Sequence, residues 1–419
     1  MPEKPRAIVL GGTSPHIELI KKLKSRGYFT ILVDYYDNPP AKEHADHHIQ
    51  ESTLDKEKVL GIARKNHAEL VISSCVDQAN VTACYVAEKM GLPRPYSYET
   101  ALSISIKPNM KKMMSEHEIP TAAYQYVSDF KELNLSVLSY PLIVKPANSA
   151  GSAGVKKVLN EKYLKEYLKQ ALTISRTNKA IVEEFKEGKE LSVYAFITNG
   201  KANILMMAER VSVIDGENEV LKCIATLAPA IISESAVKSI QSICDKIASA
   251  YELVNTPLHV QVLVDGDTVN TIEFAPRAGG GFSYQTIKLN TGFDMIDASI
   301  DSFLNKNVVV NFHKPSYKIA IVLLYAKPAR FGKIELEQSL LDDHTVQDYF
   351  YHKTRGMQIG DEKASSARIG AMLIRSETWD GLRGKIRTAS EKVWAYDVGN
   401  SPILRKDLID HKQVLPENV

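Results

Sequence analysis

Two oxygen-bearing side chains, Gln261 and Glu273, stand on either side of a turn in the segment 258–281. Hydrophobic and polar residues alternate before and after residues 265–267, a pattern typical of two strands joined by a tight turn. If the loop comprises these three residues, Gln261 lies opposite Thr271 and diagonal to Glu273, on one face of the hairpin. Amide and carboxylate oxygens are ligands that Mg²⁺ accepts alongside nucleotide phosphates. A two-residue loop would turn Glu273 to the other face, so this interpretation depends on the register.

An arginine and a run of glycines follow the second strand pattern directly. Arg277 places a fixed cation beside the Glu273 carboxylate, and Gly279, Gly280 and Gly281 leave the backbone open to a ligand. A solvent-facing hairpin with an ordinary surface glutamate and glutamine is the alternative for this segment alone. Motifs upstream that suit the same chemistry favour the metal site.

A lysine ends the apolar strand pattern at 140–145 and precedes a loop of small residues. The loop, ANSAGSAG at 147–154, contains glycines that let backbone N–H groups approach phosphate oxygens closely. Lys145 supplies a point charge for phosphate, and Ser149 and Ser152 add hydroxyl donors. No Gly-Lys-Ser/Thr closes the loop, so it is not a Walker A loop. A flexible hairpin turn is the alternative interpretation.

Further polar positions are suited to holding a nucleotide. Lys107 opens the segment KPNMKKMM at the start of a helical pattern, and Glu183 and Glu184 end the strand pattern at 180–184. An edge glutamate with exposed backbone there could bind an adenine amino group, and Glu190 could bind ribose hydroxyls. Taken singly, the lysine is more often a surface residue and each acid a solvated strand end.

The N-terminus offers a competing site for a dinucleotide. Gly11 and Gly12 follow a short apolar run, and Asp34 lies at about the distance at which an acid binds a ribose. The third glycine of the fingerprint is missing and Pro15 interrupts the loop, so the match is partial. A dehydrogenase would also leave the downstream motifs without a role.

The composition is that of an ordinary soluble protein. The chain has 419 residues, 44% hydrophobic and 24% charged, with a net charge of +2, which predicts two or three domains and does not indicate nucleic acid or an anionic membrane. No apolar run approaches ~20 residues, and the N-terminal segment runs straight into a strand pattern, without room for a signal peptide. The four cysteines show no paired spacing, so a reduced, cytoplasmic compartment is expected.

The order of strand and helix patterns predicts an α/β fold. Strands and helices alternate over residues 6–95, which indicates a parallel sheet with right-handed crossovers, and a continuous helical pattern covers 97–119. The predicted domains are a Rossmann-like N-terminal domain (1–95), a linker helix (96–123), a small α+β lid lobe (124–187), a larger metal and substrate lobe (188–310) and a C-terminal extension (311–419). A ligand between lid and body fits the preference of ligand sites for domain clefts.

Taken together, these motifs resemble the ATP-grasp superfamily over residues 11–304. KPNMKKMM resembles the lysine-led helix that opens the ATP domain, and YPLIVKPANSAGSAGV is similar to the second-lysine strand with its phosphate-covering loop. IVEEFKEGKELSV resembles the strand and turn that grip adenine and ribose, and HVQ…IEFAPRAGGG resembles the metal-ligand pair followed by the substrate-side arginine. Within the superfamily, the pattern is most similar to L-amino acid ligases, carbamoyl phosphate synthetase-like proteins and formate-dependent glycinamide ribonucleotide transformylase.

The resemblance implies a role for each motif residue. Gln261 and Glu273 would coordinate Mg²⁺ (or Mn²⁺). Arg277, with Gly279 and Gly280, would contact the substrate and stabilise the acyl phosphate. The residues implied in ATP binding are Lys107 and Lys145 at the phosphates, Ser149, Gly151, Ser152 and Gly154 in the covering loop, Glu183, Glu184 and Phe185 at the adenine, and Glu190 at the ribose.

The implied activity is that of an ATP-dependent carboxylate–amine (or carboxylate–thiol) ligase that works through an acyl phosphate, with ATP and Mg²⁺ as cofactors. The expected partners are small-molecule carboxylate and amine substrates, not nucleic acid or a membrane, and a homodimer is left open. Two departures reduce the negative charge at the metal: Gln261 where Glu is commoner, and Ala275 where Asn is common. They leave open a catalytically silent nucleotide-binding regulatory protein. A formate-dependent transformylase acting on a ribonucleotide is the other alternative.

Overall fold

The computed structural model describes residues 4–148, 154–215, 220–360 and 367–415. Within these ranges the strands form four sheets, one in the N-terminal unit, one in a small lobe and two in the remainder of the chain. The predicted α/β class is confirmed. None of the described helices combines the length and the apolar run that crossing a bilayer requires.

The N-terminal unit is a parallel sheet with helices between its strands, as the alternating pattern predicts. Its strands lie in the order β3-β2-β1-β4 and pair in parallel. The polar segment His47–Gln50 forms a strand that the apolar pattern did not indicate. The elements are β1 (Arg6–Leu10), α1 (Ser14–Ser25), β2 (Phe29–Asp34), β3 (His47–Gln50), α2 (Lys56–Lys65), β4 (Leu70–Ile72) and α3 (Asp77–Met90).

Two helices, not one, connect this unit to the rest of the chain. The predicted continuous helix over 97–119 is wrong, because α4 (Tyr98–Ser105) and α5 (Lys107–Glu116) are separated at Ile106, whose backbone is extended. Pro108 explains the break, since proline lacks an N–H and is tolerated only in the first turn of a helix. The break places Lys107 at the first position of α5.

The small lobe is an antiparallel sheet covered by one helix. It comprises β5 (Tyr124–Val127), β6 (Leu142–Pro146), β7 (Lys156–Val158), α6 (Glu161–Ile174) and β8 (Ala180–Glu184), with the strand order β5-β8-β6-β7. Leu164, Leu168 and Ala171 recur at helical spacing on α6 and are buried against the sheet. We call this unit the lid lobe.

The large sheet has eight strands, in the order β13-β12-β9-β10-β11-β14-β18-β16. Ile240, Ile243 and Ile247 of α7 cover one of its faces. Its elements up to residue 303 are β9 (Lys189–Thr198), β10 (Lys201–Asp215), β11 (Val220–Ala228), α7 (Glu234–Ala250), β12 (Asn255–Asp265), β13 (Thr268–Ala275), α8 (Ser283–Thr291) and α9 (Met295–Phe303).

The C-terminal segment extends this same sheet, because β14 pairs with β11 and β18 pairs with β14. A smaller sheet, β17-β15-β19, lies beside it. The elements are β14 (Lys318–Tyr325), β15 (Ala329–Leu336), α10 (Ser339–Asp342), β16 (Asp348–Tyr351), β17 (Gln358–Ile359), β18 (Arg368–Ser376), α11 (Trp379–Lys392), β19 (Val393–Asp397) and α12 (His411–Val414). Residues after 311 therefore share a sheet with the predicted metal-binding strands.

Candidate active site

The hairpin β12–β13 brings Gln261 and Glu273 together, although not by the predicted turn. The three-residue loop is wrong: Asp265 pairs with Thr268, which leaves a two-residue loop. A β-bulge restores the pairing, because Val262 is opposite Thr271 while Gln261 is opposite Glu273, with Ile272 as the extra residue. Residues directly opposite each other in an antiparallel pair point to the same face. The amide and the carboxylate are therefore neighbours.

Lys107 reaches this carboxylate from the first position of α5. Its Nζ donates a hydrogen bond to Glu273 Oε2 at 2.6 Å. The ammonium of Lys107 lowers the pKa of Glu273 to about 2, more than burial raises it. Burial lowers the pKa of Lys107, but the Glu273 carboxylate outweighs this effect and the net pKa is raised. Both groups are therefore charged at neutral pH.

A second ion-paired cluster lies where the lid lobe meets α5. Lys145 Nζ lies 2.5 Å from Glu183 Oε1, and Lys111 Nζ lies 3.0 Å from Glu183 Oε2. Burial raises the pKa of Glu183, but the two ammonium groups lower it by more. Lys145 also contributes to the lowered pKa of Glu273, so the two clusters share one electrostatic environment. Lys111 was missed in the sequence, although it lies four residues after Lys107 on the same helix face.

The segment predicted to hold adenine already uses part of its hydrogen-bonding capacity. Glu184 accepts hydrogen bonds from the Ser139 N–H at 2.9 Å and from Lys186 Nζ at 2.8 Å, and the Phe185 N–H donates to the Pro141 carbonyl at 2.8 Å. The Glu184 carboxylate and the Phe185 amide are thus engaged within the lid lobe. Adenine contacts would fall to other groups of this segment.

The predicted ribose ligand faces a cation on the next strand. Glu190 Oε1 lies 2.7 Å from Arg210 Nε. Arg210 lies on β10, beside the strand that carries Glu190. Arg210 carries no signal in the sequence, because an arginine within a long alternating strand is indistinguishable from a surface residue.

Only the two ends of the predicted phosphate-covering loop, residues 147–148 and 154, lie within the described residues. Ser149, Gly151 and Ser152 lie outside the described residues. Gly154 has φ of +75°, and a Cβ there would lie 2.8 Å from the Pro146 ring. Glycine is required at this position on both counts.

Arg277 connects the hairpin to the N-terminal unit. Its Nε and Nη2 donate to Asp77 at 2.6 and 3.1 Å, and Nη1 donates to the Ala278 carbonyl. Burial lowers the pKa of Arg277, but Asp77 raises it by more, so the guanidinium stays charged. A Cβ at Gly279 would lie 2.3 Å from a ring carbon of Tyr194. By contrast, no atom lies within 4 Å of a Cβ at Gly280.

In the partial dinucleotide fingerprint at the N-terminus, the Asp34 side chain binds backbone N–H groups of the same region. Asp34 Oδ2 accepts the Gly12 N–H at 2.7 Å, and Oδ1 accepts the Tyr36 N–H at 2.9 Å. A Cβ at Gly12 would lie 2.5 Å from the Pro39 side chain. Because both Asp34 oxygens and the Gly12 amide are already used, these residues do not fit a ribose and pyrophosphate.

The donor set at Gln261 and Glu273 suits a cation that brings its own oxygen ligands. Among the described residues, no group of three or more His, Cys, Asp or Glu side chains forms a complete metal site. One carboxylate and one amide match Mg²⁺, which keeps water and phosphate ligands and takes only one or two protein carboxylates. The residues present therefore fit a magnesium–nucleotide complex.

Comparison with known proteins finds a domain match over part of the chain and distant relatives over a longer part of it. Residues 138–286 match the ATP-grasp domain. The chain is 26% identical over 302 residues to the carbamoyl phosphate synthase large chain of Clostridium acetobutylicum, covering 68% of this chain but 27% of that protein. It is 23% identical over 280 residues to formate-dependent phosphoribosylglycinamide formyltransferase of Sulfurisphaera tokodaii, covering 64% of this chain and 68% of that protein.

Solved structures share the fold over most of the chain. The L-amino acid ligase of Bacillus licheniformis superposes with a TM-score of 0.76 at 18% identity, covering 94% of this chain and 99% of that one. The matched residues 138–286 contain Lys145, the acids Glu183 and Glu184, and the β12–β13 hairpin. Residues 138–286 are thus similar to an ATP-grasp domain, and the fold around them is shared with these solved structures.

Proposed function

We propose that this protein is an ATP-dependent ligase that joins a carboxylate to an amine through an acyl phosphate. One observation carries the proposal: Gln261 and Glu273 lie side by side, with Lys107 2.6 Å from the carboxylate and the lid lysine Lys145 acting on the same charge. A nucleoside triphosphate held by two lysines and a metal requires side chains of α5, the lid lobe and the hairpin to meet at one place. A thiol could replace the amine as acceptor.

The ion pairs indicate how the chain's residues would hold the nucleotide. Lys107 and Lys145 would exchange carboxylate partners for phosphate oxygens, while Gln261 and Glu273 would hold Mg²⁺ (or Mn²⁺). The metal neutralises negative charge that develops on the phosphates. Ribose hydroxyls would approach Glu190. Phosphoryl transfer needs mainly positioning and charge stabilisation, which explains a site built from lysines, an arginine and metal ligands.

The proposed reaction has two steps. A carboxylate oxygen of the acyl substrate forms a bond to the γ-phosphorus as the bond to the β–γ bridging oxygen breaks, which releases ADP. An amine nitrogen then attacks the acyl carbon, phosphate leaves, and the amine loses a proton to solvent. Arg277, held by Asp77, supplies a fixed positive charge for the acyl phosphate or the substrate carboxylate.

A second candidate is a transformylase-like enzyme acting on a ribonucleotide. It is favoured by a cavity of ≈ 590 Å³ between α1, the start of α8 and the C-terminal segment, whose charged lining includes Lys21, Lys353 and Arg355 with Glu18 and Asp348. Burial lowers the pKa of Lys353, as expected for a cation that lacks water. Such cations suit a phosphate group, which the sequence alone did not reveal.

The deciding experiment measures ADP release with carboxylates and amines added separately and together. We expect release that needs both, and hydroxylamine should trap the acyl phosphate as a hydroxamate. Glu273→Gln should remove most of the activity without unfolding the chain, and Glu252→Gln, outside the site, is the matched control. Formate with phosphoribosylglycinamide as the only active pair would select the second candidate. Nucleotide binding without any carboxylate-dependent release would identify a catalytically silent protein.

A further inference from the structure

A cavity of ≈ 190 Å³ lies beside the metal pair, on the face of the large sheet that carries Gln261. Ser192, directly opposite Gln261 on β9, lines it, as does His259, two residues before Gln261 on β12. The remaining lining comes from β10, β11, β14 and β18 and from the segment 280–286. The cavity is smaller than the ~300–1,000 Å³ of most drug-sized ligand pockets, so it suits a small molecule.

Two arginines line this cavity, and one of them, Arg210, is already paired with Glu190 outside the lining. Arg210 and Arg368 line it, and the residues that line it include no aspartate or glutamate. Arg368 Nη2 donates to the Tyr325 hydroxyl at 3.1 Å, but its buried Nε has no hydrogen-bond partner. No carboxylate among the described residues forms an ion pair with Arg368. A guanidinium whose buried Nε–H is unused favours an anionic ligand.

Two further polar atoms in the cavity lack partners. His259 Nε2 and Ser283 Oγ are buried and unbonded, and Ser283 is only 3% exposed. The His259 ring is fixed by stacking on Tyr194, with centroids 5.0 Å apart. Unpartnered buried polar atoms are costly unless a ligand or water satisfies them.

The cavity is apolar between its polar groups. Met206, Ile321 and Leu323 line it. An aliphatic chain between two anionic groups would pack against these side chains.

We propose that this cavity binds a second anionic group of the acyl substrate, so the substrate class is a small α,ω-dicarboxylate or an acidic amino acid with an aliphatic spacer. One carboxylate would lie at the metal pair and be phosphorylated. The other would lie at Arg368 and Arg210. This inference rests on the proposed ligase function for the fate of the first carboxylate, but not for the binding of the second.

The test compares acids of equal length by calorimetry without ATP. Glutarate should bind the wild-type protein at least roughly tenfold more tightly than valerate, and L-glutamate more tightly than L-glutamine, because each pair differs in one charge-assisted contact. Arg368→Gln should weaken glutarate binding by roughly ten- to hundredfold and leave valerate unchanged. Arg375→Gln is the control, because Arg375 lies on the same strand but stacks on Tyr317 outside the cavity. Malonate should bind more weakly than glutarate.

The outcomes separate this inference from the proposed function. Equal binding of glutarate and valerate by the wild-type protein would overturn the dicarboxylate pocket, whatever the variants do. Turnover of glutarate that is insensitive to Arg368→Gln would also overturn it, while leaving the ligase intact. Arg368-dependent glutarate binding without ADP release would support the pocket and count against the ligase. Arg368→Lys, which keeps the charge, should retain part of the preference for glutarate.

Discussion

At the scale of single residues, every motif cation of the cleft has a carboxylate partner. Lys107 faces Glu273, Lys145 shares Glu183 with Lys111, and the two clusters interact electrostatically. Partly buried charges persist when they are paired, because removal from water is costly otherwise. In the proposed mechanism these pairs hold the lysines in place until phosphate oxygens replace the carboxylates.

The Lys107–Glu273 pair should make stability depend on pH. The pKa of Glu273 is lowered from 4.5 to about 2, so the pair stabilises the fold above pH 4.5 and this contribution is lost as the pH falls towards 2. We expect Lys107→Met to lower the free energy of unfolding by about 1 kcal/mol at pH 7, and the deficit to shrink below pH 4. Urea denaturation at several pH values measures it.

The control for that variant lies on the same helix. Lys112 pairs with Glu116 at 3.7 Å, with 74% and 58% of the two side chains exposed. Lys112→Met should change stability little at any pH. A deficit for Lys107→Met that stays constant down to pH 3 would contradict the ion pair as the cause.

The sequence predicted the site residues that lie at the ends of strand or helix patterns. Lys145 ends an apolar strand and Lys107 precedes a proline at a helix start, so both stand out. Lys111 and Arg210 lie inside a helix and a strand, where charged residues are ordinary. Their proximity to Glu183 and Glu190 depends on contacts between residues far apart in sequence, which periodicity does not report.

At the scale of elements, a single bulge decides whether the metal pair exists. The two-residue loop alone would have put Glu273 on the opposite face from Gln261. The extra residue Ile272 reverses that outcome. Thr271 is fixed from outside the hairpin, since its N–H donates to the Pro120 carbonyl and its carbonyl accepts the Thr121 hydroxyl. No glycine or proline marks the bulge, so the sequence predicted the strands but not their register.

Deleting Ile272 tests this description of the hairpin. The deletion should remove the bulge and leave Gln261 opposite Glu273, because the Val262–Thr271 pair would then be followed directly by the Gln261–Glu273 pair. We expect ADP release to stay within roughly tenfold of the wild type, a barrier change of about 1.4 kcal/mol. Combining the deletion with Glu273→Gln should abolish activity. Complete inactivity of a folded single deletion would show that the register is different.

At the scale of the whole molecule, the candidate site is a junction of units that are distant in sequence. Phe196 of the large sheet packs with Phe293 and Ile287 in a core continuous with the N-terminal unit. The C-terminal strands complete the large sheet and contribute Arg368 to the small cavity. Alternation over residues 6–95 predicted the N-terminal sheet because its pairings are short-range. The pairing of β14 with β11 spans about a hundred residues, and no local pattern indicates it.

Asp77 connects the N-terminal unit to the candidate active site through its ion pair with Arg277. Only 13% of the Arg277 side chain is exposed, so Asp77→Asn would leave this guanidinium with one amide acceptor and no counter-charge. We expect kcat/KM to fall by roughly ten- to hundredfold, with the Kd for ATP unchanged, because Arg277 acts on the substrate rather than the nucleotide. Glu88→Gln on the same helix removes the charge that pairs with Arg94 but keeps an oxygen that can accept the Tyr98 N–H, and it should leave both constants unchanged. A parallel loss of ATP affinity in Asp77→Asn would mean that this ion pair supports the whole cleft rather than the acyl side of it.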